Sequence, residues 1–111
     1  MALVPGSTSR TYHQIQHNPD SDNTAATKTI AADADHSWVI ARILFSYDDD
    51  GAGSLTITDG TDTWKCFVTK GGAGPIGDGD SPVFIGAKGA AVIITLAAVT
   101  SVKGTVNILY Y

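Results

Sequence analysis

The chain contains no glutamate: all eleven of its acidic residues are aspartate. Aspartate competes for its own backbone and settles in turns and caps, whereas glutamate sustains helices. This bias argues against a helical protein. Cations are few as well. The seven lysines and arginines are scattered and the formal charge is -4, so the clustered basic surface that a phosphate backbone needs is missing, and no nucleic-acid partner is expected. The single cysteine, Cys66, excludes an internal disulfide and offers no metal-ligand spacing; it reads as a small apolar core residue of a strand, in a chain made in a reducing cytoplasm. No apolar run reaches the ~20 residues of a membrane span, the uncharged Ala90 to Val102 included. Met1 to Arg10 places no basic leader before an apolar segment, so a soluble chain without an export address is expected. Leu3 to Ser7 lacks the arginine of a vector-derived cleavage linker and is read as native.

What is present is β-branched and glycine-punctuated. His36 to Tyr47, HSWVIARILFSY, is rich in β-branched and aromatic residues, and both of its alternating registers are mostly apolar: Trp38, Ile40 and Leu44 on one, Ala41, Ile43 and Phe45 on the other. Such a run reads as a central strand covered on both faces. Asp48-Asp49-Asp50-Gly51 ends it. Ser54 to Asp59 alternates cleanly, Asp59-Gly60 is a hairpin signal, and Thr63 to Thr69 is the returning arm with Trp64, Cys66 and Val68 on one face. Lys70 to Ser81 reads as irregular, Pro82 to Ile85 as a short strand, Ala90 to Ala97 as a second strand apolar on both faces, and Val102 to Tyr111 as the closing strand. With Thr24 to Ala32, and Thr11 to Gln16 as an edge strand, the count is seven or eight. A chain of 111 residues is one domain able to bury about two-thirds of its unfolded surface.

The expected fold is therefore all-β, an antiparallel β-sandwich or jelly-roll-like structure over residues 24–111, preceded by an extended N-terminal arm over residues 1–23. In a two-layer sandwich each strand should have one wet face. Two strands apolar on both sides want a cover, and a neighbouring subunit is the economical source, which predicts a homo-oligomer, most simply a closed ring. The arm and the glycine-rich loop are the expected contacts: Tyr12, His13 and Ile15 from the first, Gly72, Pro75 and Ile76 from the second.

Motifs with chemical meaning fail on context. Gly72 to Gly77 matches G-x-G-x-x-G, but dinucleotide binding needs a following helix, and here Pro75 and GDGDSP follow. Asp48 to Asp50 with Asp78 and Asp80 invite a calcium reading; Asp48-x-Asp50-Gly51 read as a helix-loop-helix calcium loop puts Ser46 at its first position and Ile57 at its last, where a bidentate acid is required, and although the two Asp loops could converge on one ion, solvated turns are expected instead. His13, His17 and His36 lack zinc spacing. No nucleophile elbow, triad spacing or apolar-set acid pair is present, so no enzyme, cofactor or metal is expected. Trp38 and Trp64 could stack on a sugar ring, although tryptophan in an alternating strand is more often core.

From Thr29 to Tyr111 the order HSWVIARILFSY, the hairpin SLTITDGTDTWKCFVT, a Gly-Pro loop and IGAKGAAVIITLAAVTSVKGTVNILYY resembles small β-sandwich structural proteins of tailed bacteriophages, of the head decoration or cement type. The resemblance covers about three-quarters of the chain and rests on a strand-and-glycine rhythm with a closing strand, Lys103 to Tyr110, rather than on a chemical signature; the arm lies outside it. It implies a virion protein on the capsid surface, made in the host cytoplasm, that clamps the major capsid protein as a homo-oligomer, a trimer being favoured. The rival expectation is a host-binding adhesin or tail-tip module that takes a surface glycan on the loops around Asp48–Gly53 and Lys70–Ser81.

Overall fold

The computed structural model describes residues 12–17, 24–49, 53–68 and 73–111. Among them every regular element is a strand: β1 (His13–His17), β2 (Ala26–Ile30), β3 (Val39–Tyr47), β4 (Gly53–Thr58), β5 (Thr63–Val68), β6 (Ala73–Ile76), β7 (Phe84–Ile85), β8 (Val92–Leu96) and β9 (Gly104–Tyr110). They form two antiparallel sheets. Sheet I runs β1-β9-β3-β6, with β7 also paired to β3, and sheet II runs β2-β8-β4-β5. Leaving the two-residue β7 aside, eight strands remain and the first pairs with the last, the second with the second-last, the third with β6 and the fourth with the fifth. That nested pairing is one long hairpin rolled over on itself, the jelly roll. The expected sandwich is thus observed with nine strands rather than seven or eight.

The added strand is β6, inside the stretch expected to be irregular. Its sequence, Ala-Gly-Pro-Ile, has neither the β-branching nor the alternation by which strands are recognised. Pro75 lacks a backbone donor, which is tolerable because β6 is the outer strand of its sheet.

The core lies between the sheets. Ile43, Phe45, Val106 and Ile108 of sheet I face Leu55, Ile57, Val92, Ile94 and Leu96 of sheet II, all buried. The alternation in β4, β8 and β9 puts every second side chain here, as burial on one face requires. In β3 the alternation is broken. Between Ile40 and Arg42 the register with β9 slips by one residue, so that Ile40 and Ala41 are both buried. The bulge resets the face on which later residues fall, and Leu44 points outward while Ile40 points in. The expectation that His36–Tyr47 is covered on both sides is corrected accordingly: its outer face carries Arg42, Leu44 and Ser46, and Leu44 is 41% exposed. The same expectation for Ala90–Ala97 is corrected too, since Thr95 faces outward beside Ile93.

Two close approaches set the shape. Tyr47 reaches from sheet I to sheet II, its hydroxyl donating to the Ala97 carbonyl at 2.7 Å, and burial pushes its pKa up. Its ring lies over Gly104, where a Cβ would come within 3.1 Å of it and within 2.9 Å of Leu96. At Gly77 the backbone is left-handed (φ 83°) and a Cβ would fall 2.5 Å from the Ala41 carbonyl oxygen; only glycine turns there. Gly77 thereby folds the segment between β6 and β7 back onto sheet I, where Gly79 N–H donates to the Ala41 carbonyl and Val83 N–H to that of Ile40.

Candidate interaction face

The outer faces of the two sheets differ in chemistry. On sheet II the outward residues are hydroxylated: Thr27 beside Thr95 and Thr56, and Thr29 beside Ile93, Thr58 and Thr63. Several are mutually bonded, with Thr27 and Thr95 hydroxyls 3.4 Å apart and those of Thr63 and Thr58 3.2 Å apart. Such a face is satisfied by water. Phe67, at the outer edge of the same face, is 78% exposed, and the Lys65 ammonium sits 5.4 Å from its ring centroid, a cation–π geometry.

On sheet I the outward rungs follow from the pairing. Tyr12, Tyr111, Val39 and Ile85 form the first; Gln14, Leu109 and Arg42 the second; Gln16, Asn107, Leu44 and Pro75 the third; Thr105, Ser46 and Ala73 the fourth. Polar members pair among themselves: Gln14 Nε2 donates to Asn107 Oδ1 at 2.8 Å, and the Ser46 and Thr105 hydroxyls lie 3.0 Å apart. Apart from Gln16 and Arg42 the rest is apolar or aromatic, with Ile85 60% exposed, Tyr12 42% and Leu44 41%. The strands of sheet I carry one formally charged side chain, Arg42.

The arm and the glycine-rich loop meet on this face. Tyr12 packs edge-on against Tyr111 at 5.2 Å and its hydroxyl donates to the Gly79 carbonyl at 3.1 Å. Of the six expected contact residues, Tyr12 and Pro75 lie on it. Ile15 and Ile76 turn to the inner side and pack against the core. His13 lies against Tyr110, 5.2 Å between ring centroids, and edge-on to Trp38. Gly72 is outside the described residues. Leu44, which completes the patch with Pro75, was assigned to a doubly covered strand; the signal lay in its register once a bulge is allowed before Arg42.

Beside this face, Trp38 closes one end of the core, its indole N–H donating to the Ala31 carbonyl at 3.0 Å. The His36 ring lies 4.3 Å from it, and His36 Nε2 is buried with no hydrogen-bond partner. Trp64 packs half-buried on the core side of β5.

The aspartates serve the backbone. Asp59 Oδ1 accepts from Thr61 and Asp62, and its Oδ2 from Ala87 N–H at 2.8 Å, which ties the β4–β5 turn to the turn before β8. These bonds, Asp62 first, hold its carboxyl below the usual range. Asp78 Oδ1 accepts from Asp80 and Ser81 N–H groups, which lower its pKa likewise. Asp48 Oδ1 accepts from Lys103 N–H at 2.8 Å. Among the described residues no three His, Cys, Asp or Glu side chains gather as a metal would need. No helix among them follows Gly77 to receive a pyrophosphate, and none is long and apolar enough to cross a membrane.

The fold defines the class as a small jelly-roll sandwich, with a threonine-rich outer face on one sheet and a mixed apolar and amide outer face on the other. No protein family, no curated protein and no solved structure matches the chain.

Proposed function

We propose that the chain is a non-enzymatic virion structural protein, a decoration protein that binds and stabilises the major capsid shell of a tailed bacteriophage as a small homo-oligomer, a trimer being the simplest ring. The observation that carries this reading is the outer face of sheet I. The strands of that face set bare Leu44, Pro75 and Ile85 beside one charged side chain, Arg42, which suits a surface that is covered in use. Asp33, Asp48, Asp59 and Asp78 each accept from backbone N–H groups of turns and loops, a structural use of carboxylates that fits a docking protein. Jelly rolls build viral shell domains and lectin domains alike, an analogy of architecture only. On a lattice, many modest contacts add through multivalency. The test is co-sedimentation with empty phage heads: the native chain pellets with the heads and Leu44→Asp stays in the supernatant. Equal pelleting of both would overturn the reading.

A second reading, a glycan-binding adhesin, is favoured by Phe67, an aromatic ring left 78% exposed beside a hydroxyl-rich sheet. Binding on a glycan array that is lost in Phe67→Ala, with melting unchanged, would select it over the first.

A further inference from the structure

We infer that β5 is a pairing edge and that its occupant is β5 of a second copy, laid antiparallel about a two-fold axis through Cys66. The inference goes beyond the reading above, whose surface is the outer face of sheet I.

Two open sheets have four outer strands between them, and an unpaired strand edge recruits another strand unless something blocks it. Three of the four are blocked. β1 and β2, the outer strands on one side of the sandwich, lie in contact with each other, and Lys28 of β2 points to the same inner side as buried Ala26 and Ile30. β6 is four residues long and includes Pro75. β5 has six residues, no proline and an unbroken register with β4, and among the described residues no strand takes its other edge. It also carries Phe67, 78% exposed.

The ladder fixes which backbone groups that edge offers. Ala97 N–H donates to the Ser54 carbonyl at 2.9 Å, and Asp59 N–H to the Asp62 carbonyl at 3.2 Å. Bonded and non-bonded pairs alternate along antiparallel strands, so Leu55 and Ile57 exchange bonds with Cys66 and Trp64, their partners on β5. The N–H and C=O groups of Lys65 and Phe67 therefore point to the free edge, and they are what receives an added strand.

The side chains select a second copy and its register. A strand that continues the sheet sets outer residues against outer and inner against inner, and the two self-pairings that engage five of the six residues centre on Lys65 or on Cys66. Centred on Lys65, two ammonium groups would stand directly opposite, which like charges disfavour. Centred on Cys66, Lys65 stands opposite the partner's Phe67 on the outer side, and Trp64 opposite the partner's Val68 on the inner. The Lys65 ammonium already lies 5.4 Å from the Phe67 ring centroid of its own chain, so the axis repeats a cation–π match that the strand makes by itself. Five residues from each copy fall short of the ~1,000 Å² of a stable interface. The pair accordingly opens in dilute solution and closes where copies are crowded, as on a shell, where such contacts add.

The experiment uses Cys66, the single cysteine of the chain, as a reporter on the axis. There it forms a non-bonded pair whose Cα atoms approach to about 4.5 Å, within reach of a disulfide. The full chain is oxidised with copper phenanthroline at millimolar concentration and run on a non-reducing gel beside Phe67→Lys, which sets lysine against Lys65, and Phe67→Glu, which sets a carboxylate there. Expected is a disulfide-linked dimer whose yield falls about fivefold in Phe67→Lys and is kept or raised in Phe67→Glu, with the three proteins melting alike because position 67 is exposed. No dimer, equal yields in all three, or a fall in both variants would overturn the β5 pairing. None of these outcomes touches the outer face of sheet I, whose test is the mass of Leu44→Asp.

Discussion

The hydroxyl of Tyr12 donates to the carbonyl of Gly79 at 3.1 Å, joining the start of β1 to a loop 67 residues further on. The bond fastens an edge strand whose side chains are mostly exposed. Tyr12→Phe keeps the ring beside Tyr111 and removes the hydroxyl, at an expected cost of about 0.5–1 kcal/mol. Amide hydrogen exchange should quicken in His13 to His17 and leave β4 and β8 unchanged; an unaltered exchange pattern would mean that the strand is held by its ladder alone.

Ile43 and Leu44 are adjacent and face opposite ways. Ile43 is fully buried and Leu44 is 41% exposed. Ile43→Ala should destabilise the fold by about 2–5 kcal/mol through lost contacts and the cavity left behind. Leu44→Gln should stay within about 0.5 kcal/mol of the native chain at dilutions where both scatter as single chains. Chemical denaturation of both variants checks the bulge: were the alternation unbroken through Arg42, Leu44 would join Ile40 in the core and its variant would suffer comparably.

Asp59 predicts an acid-sensitive turn. Its folded pKa is lowered from 3.8 by the N–H groups of Asp62, Thr61 and Ala87. Its stabilising contribution is therefore present above the unfolded value of about 3.9 and is lost as pH falls through the lower folded value. Asp59→Asn should melt below the native chain at pH 7, because an amide group would turn a donor towards Ala87 N–H, and the gap should close as the pH is taken below the ordinary carboxylate range. A gap independent of pH would remove the carboxylate from the account.

His36 keeps a buried Nε2 without a partner, a group whose desolvation is uncompensated. His36→Phe retains a ring against Trp38 and deletes that atom. Thermal melting should rise, by about 1 kcal/mol of stability; a fall would show that the imidazole nitrogen contributes something beyond packing.

Much of the sandwich is written in the period-two patterns of β4, β8 and β9, and in the Asp59-Gly60 turn, because burial on one face forces alternation. β6 was hidden because an edge strand tolerates Pro75 and two small residues. The bulge at Ala41 was hidden because an extra residue leaves composition unchanged and alters only register. That single shift turns Leu44 to the outside, so the apolar face could be anticipated in kind, as surplus apolar area, but not in place. Of the expected contact residues, Tyr12 and Pro75 stand on the outer side of sheet I and Ile15 and Ile76 on the inner, a difference the sequence does not show, since an apolar residue at a strand edge carries no mark of the side to which it turns.

The central claim is that the outer face of sheet I is an association surface, and the most direct measurement of it is the solution mass by light scattering of the native chain and of Leu44→Asp at the same concentration. The account predicts a multiple of 11.5 kDa for the native chain and a single chain for the variant. A native protein that scatters as one chain, or a variant that keeps the native mass, would contradict it.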